Sequence, residues 1–301
     1  MPSNHGVIFK AVPDGYPVLG EHMELVTREI DIENFSLGDG DILVKNQYLS
    51  LDPYMRGRMR NPNIKSYVKA FELGKVLEGS GIGTIVKSNN KKYQVGNEHL
   101  AKEMSKFNFP KSYFLGVLGM PGMTAYVGLN KIGKPKKGET IFISAASGAV
   151  GQVVGQIAKI KGLRVIGTAS NDSKIKYLEE LNFDGVFNYK TCNIDEVIVL
   201  THLNINARVV ACGMISQYNT KAPYGVKNLL CVVSKRITIQ GFIVFDHYHE
   251  TESFRKDIDE WLKQGKLKYK EDNVEGIQNA PEAFLNLLTG KNFGKEIVKI
   301  C

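Results

Sequence analysis

The stretch Glu139–Ser170, ETIFISAASGAVGQVVGQIAKIKGLRVIGTAS, constrains this chain more than any other. Its apolar run TIFISAA reads as a buried strand, and VVGQIAKI carries helical spacing. Between them, Ala146-Ser147-Gly148-Ala149-Val150-Gly151 fits G-x-G-x-x-G with alanine in first place. A small residue at 146 permits the tight turn. Gly148 lets a pyrophosphate approach the N–H groups at the helix N-terminus, and Gly151 lets helix and strand pack closely. A lone glycine motif is weak, but here strand, turn, helix and a second strand (RVIGTA) follow in the required order. The alternative is a small-residue packing turn that holds no ligand.

The end of the second strand selects the dinucleotide. NAD-binding folds place an acid there for the ribose 2′-hydroxyl, whereas this chain has Thr168, Ala169 and Ser170. Asp172 suits a helix N-cap better. Lys174 falls in the first helical turn, where a 2′-phosphate would arrive, unless it is an ordinary solvent-exposed lysine. The missing acid tilts the expectation to NADP(H).

Strands and helices alternate from Glu139 onward, with strands expected at Thr140–Ala145, Arg164–Ala169, Gly185–Tyr189, Arg208–Gly213 and Ile237–Val244. Helices are expected at Val150–Lys161, Ser173–Leu181, Asn228–Lys235 and Ala280–Leu288, with another at IDEWLKQGKL. Such alternation predicts an α/β fold with a doubly wound parallel sheet. Residues 1–115 are instead strand-like and punctuated by glycine and proline. The chain therefore divides into a β-rich unit over 1–115, a dinucleotide-binding unit over 116–250 and a return over 251–301, whose strand KEIVKI rejoins the first unit. A helical connector with Pro121 near its start and Gly133 after its end links the first two.

Composition excludes other classes. The net charge of +8 is spread over scattered lysines (Lys91, Lys92, Lys136, Lys137, Lys266, Lys268, Lys270) mixed with acids, so no nucleic-acid partner is expected. No apolar run reaches the roughly 20 residues that cross a bilayer, and MPSNHGVIFKAV lacks the features of a secretion signal. A cytoplasmic protein is expected. Cys192, Cys212, Cys231 and Cys301 show no paired spacing, and disulfides are not expected.

DPYMRGRMR, LGMPGMTAY, SAASGAVGQ, FNYK, CGMISQYN, QGFIV and GKNFGK run in order along the chain. Together they resemble the zinc-free medium-chain dehydrogenase/reductase family, in its prostaglandin reductase (leukotriene dehydrogenase) and NADPH-dependent alkenal/enone reductase group. The resemblance implies a GroES-like β-rich catalytic domain plus a Rossmann domain, a homodimer, and reduction of the α,β double bond of small-molecule enals and enones. It implies cofactor contacts from Pro53 and Tyr54, from Ala145, Ala146, Ser147, Gly148, Ala149, Val150 and Gly151, and from Lys174 and Tyr189 at the 2′-phosphate. Further contacts fall on Cys212, Gly213, Met214, Ile215, Ser216, Gln217 and Tyr218, on Phe242, Ile243 and Val244, and on Asn292, Phe293 and Gly294. Position 170 is usually glycine in the family, and Ser170 is left out of the set.

The residues favour the same chemistry. The first 190 positions hold no cysteine, and His5, His22 and His99 have no ligand spacing, so no metal is expected. Without a Lewis acid a plain ketone is a poor hydride acceptor. An enone accepts hydride at its β-carbon and develops charge on an enolate oxygen that hydrogen-bond donors can stabilise. Tyr218 and Tyr54 are the candidate donors, Tyr218 also as proton donor; the alternative for each is a ring packed in the cleft. Arg56, Arg58 and Arg60 read as surface or interface residues, one of which could meet an acidic substrate. A quinone reductase of the same fold and a catalytically inactive NADPH-binding protein are the competing functions.

Two windows depart from the family. After Val95-Gly96, NEHLAKEMSKFNF passes straight to Pro110 without the strands of a Trp-Glu-Glu-Tyr run. After Tyr189 there is room only for one helix, VIVLTHLN, before Arg208, so the fourth strand of the 3-2-1-4-5-6 order is missing. A sheet without that strand leaves one side of Thr140–Ala145 unpaired, or forces the strand Arg208–Gly213 to shift inward. The polypeptide in solution is therefore expected to carry further residues in both windows. Intact-mass measurement should return several kilodaltons more than 33.5 kDa; a value at 33.5 kDa would show that the strand is lacking from the protein itself.

Overall fold

The computed structural model describes residues 3–93, 95, 104, 107–192 and 200–300. The first half of the chain forms β1 (Ser3–Phe9), β2 (Met23–Glu29), β3 (Ile42–Ser50), α1 (Tyr54–Arg58), β4 (Gly81–Ser88) and α2 (Met120–Val127). There follow β5 (Thr140–Ile143), α3 (Gly151–Ile160), β6 (Arg164–Ala169), α4 (Asp172–Glu180), β7 (Gly185–Asn188), β8 (Arg208–Ala211), α5 (Leu230–Ser234) and β9 (Thr238–Gly241). The chain closes with α6 (Thr251–Lys263), β10 (Glu271–Glu275), α7 (Ala280–Leu288) and β11 (Lys295–Lys299).

The early strands build a β-rich unit that the end of the chain completes. β3 pairs antiparallel with β4 and with β11, and β10 lies parallel to β11, giving the order β10-β11-β3-β4. β1 and β2 form an antiparallel pair that meets the rest through an Ile8–Val76 bridge. Phe9, Met23, Leu51, Met55, Phe284 and Val298 share the core beneath them. KEIVKI thus rejoins the first unit, because alternate residues of β11 feed both faces of that packing.

The second unit is α/β. β5, β6 and β7 are parallel in the order β5-β6-β7, and α3 buries Val153, Ile157 and Ala158 against them. The apolar stripe of α3 explains its seat, and Gly155 explains its closeness: a Cβ there would stand 2.0 Å from the Phe183 ring. The connector is helical as expected, with Pro121 in the first turn of α2 and a wider π-type turn over Gly128–Gly133. Asn171, not Asp172, caps α4, its side chain accepting from Lys174 N at 3.0 Å. Asp172 instead takes a hydrogen bond from Asn188 Nδ2 at 3.1 Å.

Among the described residues the fourth strand position is empty. β5 pairs with β6 alone, and β8 pairs parallel with β9 alone. The sheet does not close up: Val210 packs beside Gly128 and Gly133, within 3.6 Å of where their Cβ atoms would be, and Arg208 pairs with Glu139 at the foot of β5. Ile141 and Phe142 are consequently half-buried, while Val165 and Ala169 on β6 are fully buried. Partial exposure lets water take the open backbone groups, which would otherwise cost about 1–3 kcal/mol each. Of the two departing windows, residues 96–103, 105–106 and 193–199 lie outside the described residues. Of the helix expected at VIVLTHLN, Leu200–His202 form a single 3₁₀ turn.

Glu296 on β11 is buried at 2% exposure opposite Asp272 of β10, and its Oε2 has no hydrogen-bond partner among the described residues. Burial, reinforced by the Asp272 charge against the opposing pull of Lys295, pushes its carboxyl up to about 8. The folded state then holds this proton more tightly than the unfolded chain, whose ordinary value is 4.5. The resulting stabilisation is fully present below that value and is lost as pH rises from 4.5 through about 8. Urea unfolding across this window should show stability falling, and Glu296→Gln should flatten the fall and be more stable than the wild type at the alkaline end. An unchanged slope in the variant would place the titration elsewhere.

Candidate active site

The glycine loop joins the C-terminal end of β5 to the N-terminus of α3. The backbone turns at Ala145, which has φ 47°, one position earlier than the sequence reading placed it. Ala146 N then donates to Thr168 O at 2.8 Å, fixing the loop to β6. At Gly151 a Cβ would lie 2.6 Å from Ala145 O and 2.7 Å from Ala146 Cα, so only glycine admits this approach of helix and strand. The N–H groups of Ser147, Ala149 and Val150 have no hydrogen-bond partner among the described residues. Free N–H groups at a helix N-terminus fit a phosphate.

A second anion-seeking feature lies at the end of β6. Lys174 is buried at 5% exposure, not on the surface. Its Nζ donates to Gly290 O at 2.8 Å and to Ser170 Oγ at 3.2 Å. Among the described residues no carboxylate reaches it within ion-pair distance. Burial, together with the nearby Lys190 cation, holds the ammonium below its ordinary range. Tyr189 closes the group, its hydroxyl 3.9 Å from where a Gly290 Cβ would stand. A buried cation satisfied only by neutral oxygens gains from an arriving dianion. Ser170, set aside on the sequence, therefore belongs to this cluster, as does Gly290.

The two candidate donors both neighbour Tyr67. Tyr54 opens α1 behind Pro53 and packs on the β-rich core, as does Ile215 from the opposite loop. Burial, then the Asp52 charge, pushes the Tyr54 phenol up to about 12. It therefore stays a protonated donor through the neutral range. Tyr218 follows the 3₁₀ turn Ile215–Gln217, and its oxygen accepts from Met214 N at 3.2 Å. Accepting that bond leaves its own O–H free to donate.

Tyr67 and Tyr248, which the sequence did not single out, complete the aromatic wall. The Tyr67 phenol is raised by burial and by the adjacent Tyr218, and Tyr248 by burial and Asp52. Phe245 stands between them, 6.4 Å and 5.4 Å from the two ring centres. No motif marks these residues; the fold alone assembles them.

The other expected contacts are distributed around this frame. Cys212, Gly213, Met214 and Ser216 are exposed and Gln217 is half-buried on the loop after β8. Phe242 packs near Gly128, and Val244 is buried beyond Ile243. In the return loop, Asn292 Nδ2 donates to Gly294 O at 3.0 Å, and Phe293 meets the Tyr177 ring at 5.3 Å. Tyr177 in turn donates to Gln152 Oε1 at 2.7 Å, one residue past the glycine loop.

The arginines of DPYMRGRMR do not form an open anion site. Arg58 lies 4.0 Å over the Phe71 ring and pairs with Glu78, and Arg60 donates to three backbone carbonyls. Arg56 is buried. A cleft of about 820 Å³ runs along β4 and α2, with Met23, Met55, Met120, Phe254 and Tyr248 among its walls; residues 145–151 do not line it. Among the described residues no group of three or more His, Cys, Asp or Glu could hold a metal ion, and no helix is long and apolar enough to cross a membrane.

The family description "N-terminal domain of oxidoreductase" matches residues 5–104, and "Zinc-binding dehydrogenase" matches residues 149–202. The chain is 41% identical to a zinc-type alcohol dehydrogenase-like protein of Schizosaccharomyces pombe, covering 100% of this chain and 99% of that one. It is 39% identical to an NADP(+)-dependent 2-alkenal reductase of Nicotiana tabacum, over 99% and 98% of the two. The crystal structure of CurA from Vibrio vulnificus in complex with NADPH superposes with a TM-score of 0.86 at 36% identity, over 99% of both chains. The chain belongs to the medium-chain dehydrogenase/reductase family, in the branch of the alkenal and prostaglandin reductases. Despite the zinc in two of those descriptions, the described residues supply no donor set for that ion. The alignment with the fission-yeast relative runs over 346 positions against 301 residues here, so about 45 of its positions have no counterpart in this chain.

Proposed function

We propose that the protein is an NADPH-dependent reductase that saturates the α,β double bond of enals and enones. The observation that carries this reading is the cluster of Tyr54, Tyr67, Tyr218 and Tyr248, with Tyr54 held protonated. Phenols suit a developing enolate oxygen, which needs donors and no metal. The name of the tobacco reductase supports the same cofactor and reaction class, and the NADPH-bound Vibrio protein supports the cofactor.

In this reading the N–H groups of Ser147, Ala149 and Val150 hold the pyrophosphate, and Lys174, Tyr189 and Ser170 receive the 2′-phosphate. Residues 212–218, 242–244 and 292–294, with Pro53, enclose the rest of the cofactor. Bound NADPH supplies the hydride. Tyr218 donates its O–H proton toward the substrate oxygen while Met214 N–H steadies its own oxygen, and Tyr54 adds a second hydrogen bond. The units over 1–115 with 251–301 and over 116–250 form the two walls of the cleft. NADPH oxidation measured against alkenals, cyclic enones and naphthoquinone tests the substrate class. Turnover of the quinone with none of the enones would replace it by quinone reduction.

Lys174→Ala removes a charge-assisted contact of about 1.5–3 kcal/mol. It should weaken NADPH binding by about tenfold or more and leave NADH nearly unchanged, as titrated by cofactor fluorescence. Equal losses for both cofactors would remove the 2′-phosphate from this site.

Tyr218→Phe should lower kcat more than it raises KM, because the hydroxyl acts in the transition state. The loss is up to about 3 kcal/mol, the worth of an oxyanion donor. Unchanged kcat on an alkenal would show that the ring only packs.

A further inference from the structure

Arg56 and Asn219 sit in two motifs, DPYMRGRMR and CGMISQYN, yet neither side chain is used by the chemistry above. Each is 8% exposed. Arg56 Nε donates to Asn219 Oδ1 at 2.8 Å across 163 positions of sequence. The same guanidinium donates to Gly15 O at 2.7 Å and to Pro13 O at 3.2 Å. The loop of Pro13–Gly15 is thereby held between α1 and the residues after Tyr218, and an exposed Lys221–Asp14 pair at 2.5 Å closes the outside. Gly15 has φ 102°, which keeps its carbonyl aimed at the guanidinium without strain from a side chain.

Position gives this contact its meaning. Arg56 lies two residues after Tyr54 on α1, and Asn219 directly follows Tyr218. One hydrogen bond to a charged donor therefore joins the element that presents one proposed donor to the element that presents the other. The two belong to different units, and tyrosines aimed at a single substrate oxygen must keep their separation to within about 1 Å. A planar guanidinium with several fixed donors suits that task, since it can grip the loop carbonyls and the amide at once.

We propose that Arg56 and Asn219 form a positioning latch that sets Tyr218 against Tyr54 across the cleft. The proposal rests on the reductase reading for the use of the latch, and its existence can be read without chemistry. Asn219→Ala removes the acceptor while Arg56 keeps its carbonyl partners, and Asn219→Asp keeps an acceptor.

Two measurements test it. In hydrogen exchange on the whole protein, Asn219→Ala should lower protection across residues 212–219, and Asn219→Asp should restore it. Equal protection in wild type and Asn219→Ala would overturn the latch, as would Asp behaving like Ala. In turnover at saturating cofactor, Asn219→Ala should lower kcat by about tenfold, and should add nothing in a Tyr218→Phe background. The same fold-loss in both backgrounds would overturn the positioning role and leave Asn219 as a stabilising residue only. Should Tyr218→Phe itself turn over like the wild type, the proton-donor reading falls and the exchange result alone decides the latch.

Discussion

The structure depends on one buried ion pair. Lys295, at 2% exposure on β11, places its ammonium 2.9 Å from Asp52 and 2.6 Å from Leu51 O, and Ser50 donates to the other Asp52 oxygen at 2.5 Å. Both charges are out of water, so removing either would strand its partner at a cost of about 3–5 kcal/mol. The pair welds the last strand to the turn between β3 and α1, from which Pro53, Tyr54 and Arg56 project. The end of the chain thus fixes the start of the site.

A second set of polar contacts ties the same return segment to the α/β unit. Gln152 Nε2 donates to Lys270 O at 3.1 Å while its Oε1 accepts from Lys270 N at 2.9 Å, and Gln156 repeats the pattern with Lys268. Both glutamines stand on α3, just past the glycine loop. The segment 268–295 therefore holds the N-terminal end of α3 and the Tyr54 turn in one frame. Tyr67, Met214 and Tyr248 stay exposed although the segments that carry them are anchored from behind.

Among the described residues the strand position beside β5 stays open. A parallel sheet is normally buried on both faces and continuous across its middle, yet among the described residues β5, the strand that carries the glycine loop, pairs on one side only. The loop keeps its geometry because its own restraints come from β6 and α3, through Ala146 N to Thr168 O and the contact at Gly151. The loop after β8 keeps its place because Ile215 and Asn219 are held by the β-rich unit.

Local pattern determined what the sequence could tell. The boundaries of β6 and α7 fall where the alternation and helical spacing put them, and the glycine loop is legible because each small residue answers a short-range steric demand. The N-cap went to Asn171 instead of Asp172, since neighbouring capping residues compete on backbone geometry that sequence does not fix. Only the tertiary structure decided that Lys174 is buried against Gly290, that Ser170 joins it, and that Arg56 turns inward to Asn219. Their partners lie 116, 4 and 163 positions away. A periodic pattern specifies which face a residue occupies, but what a long charged side chain meets there is set by whichever distant segment packs against that face.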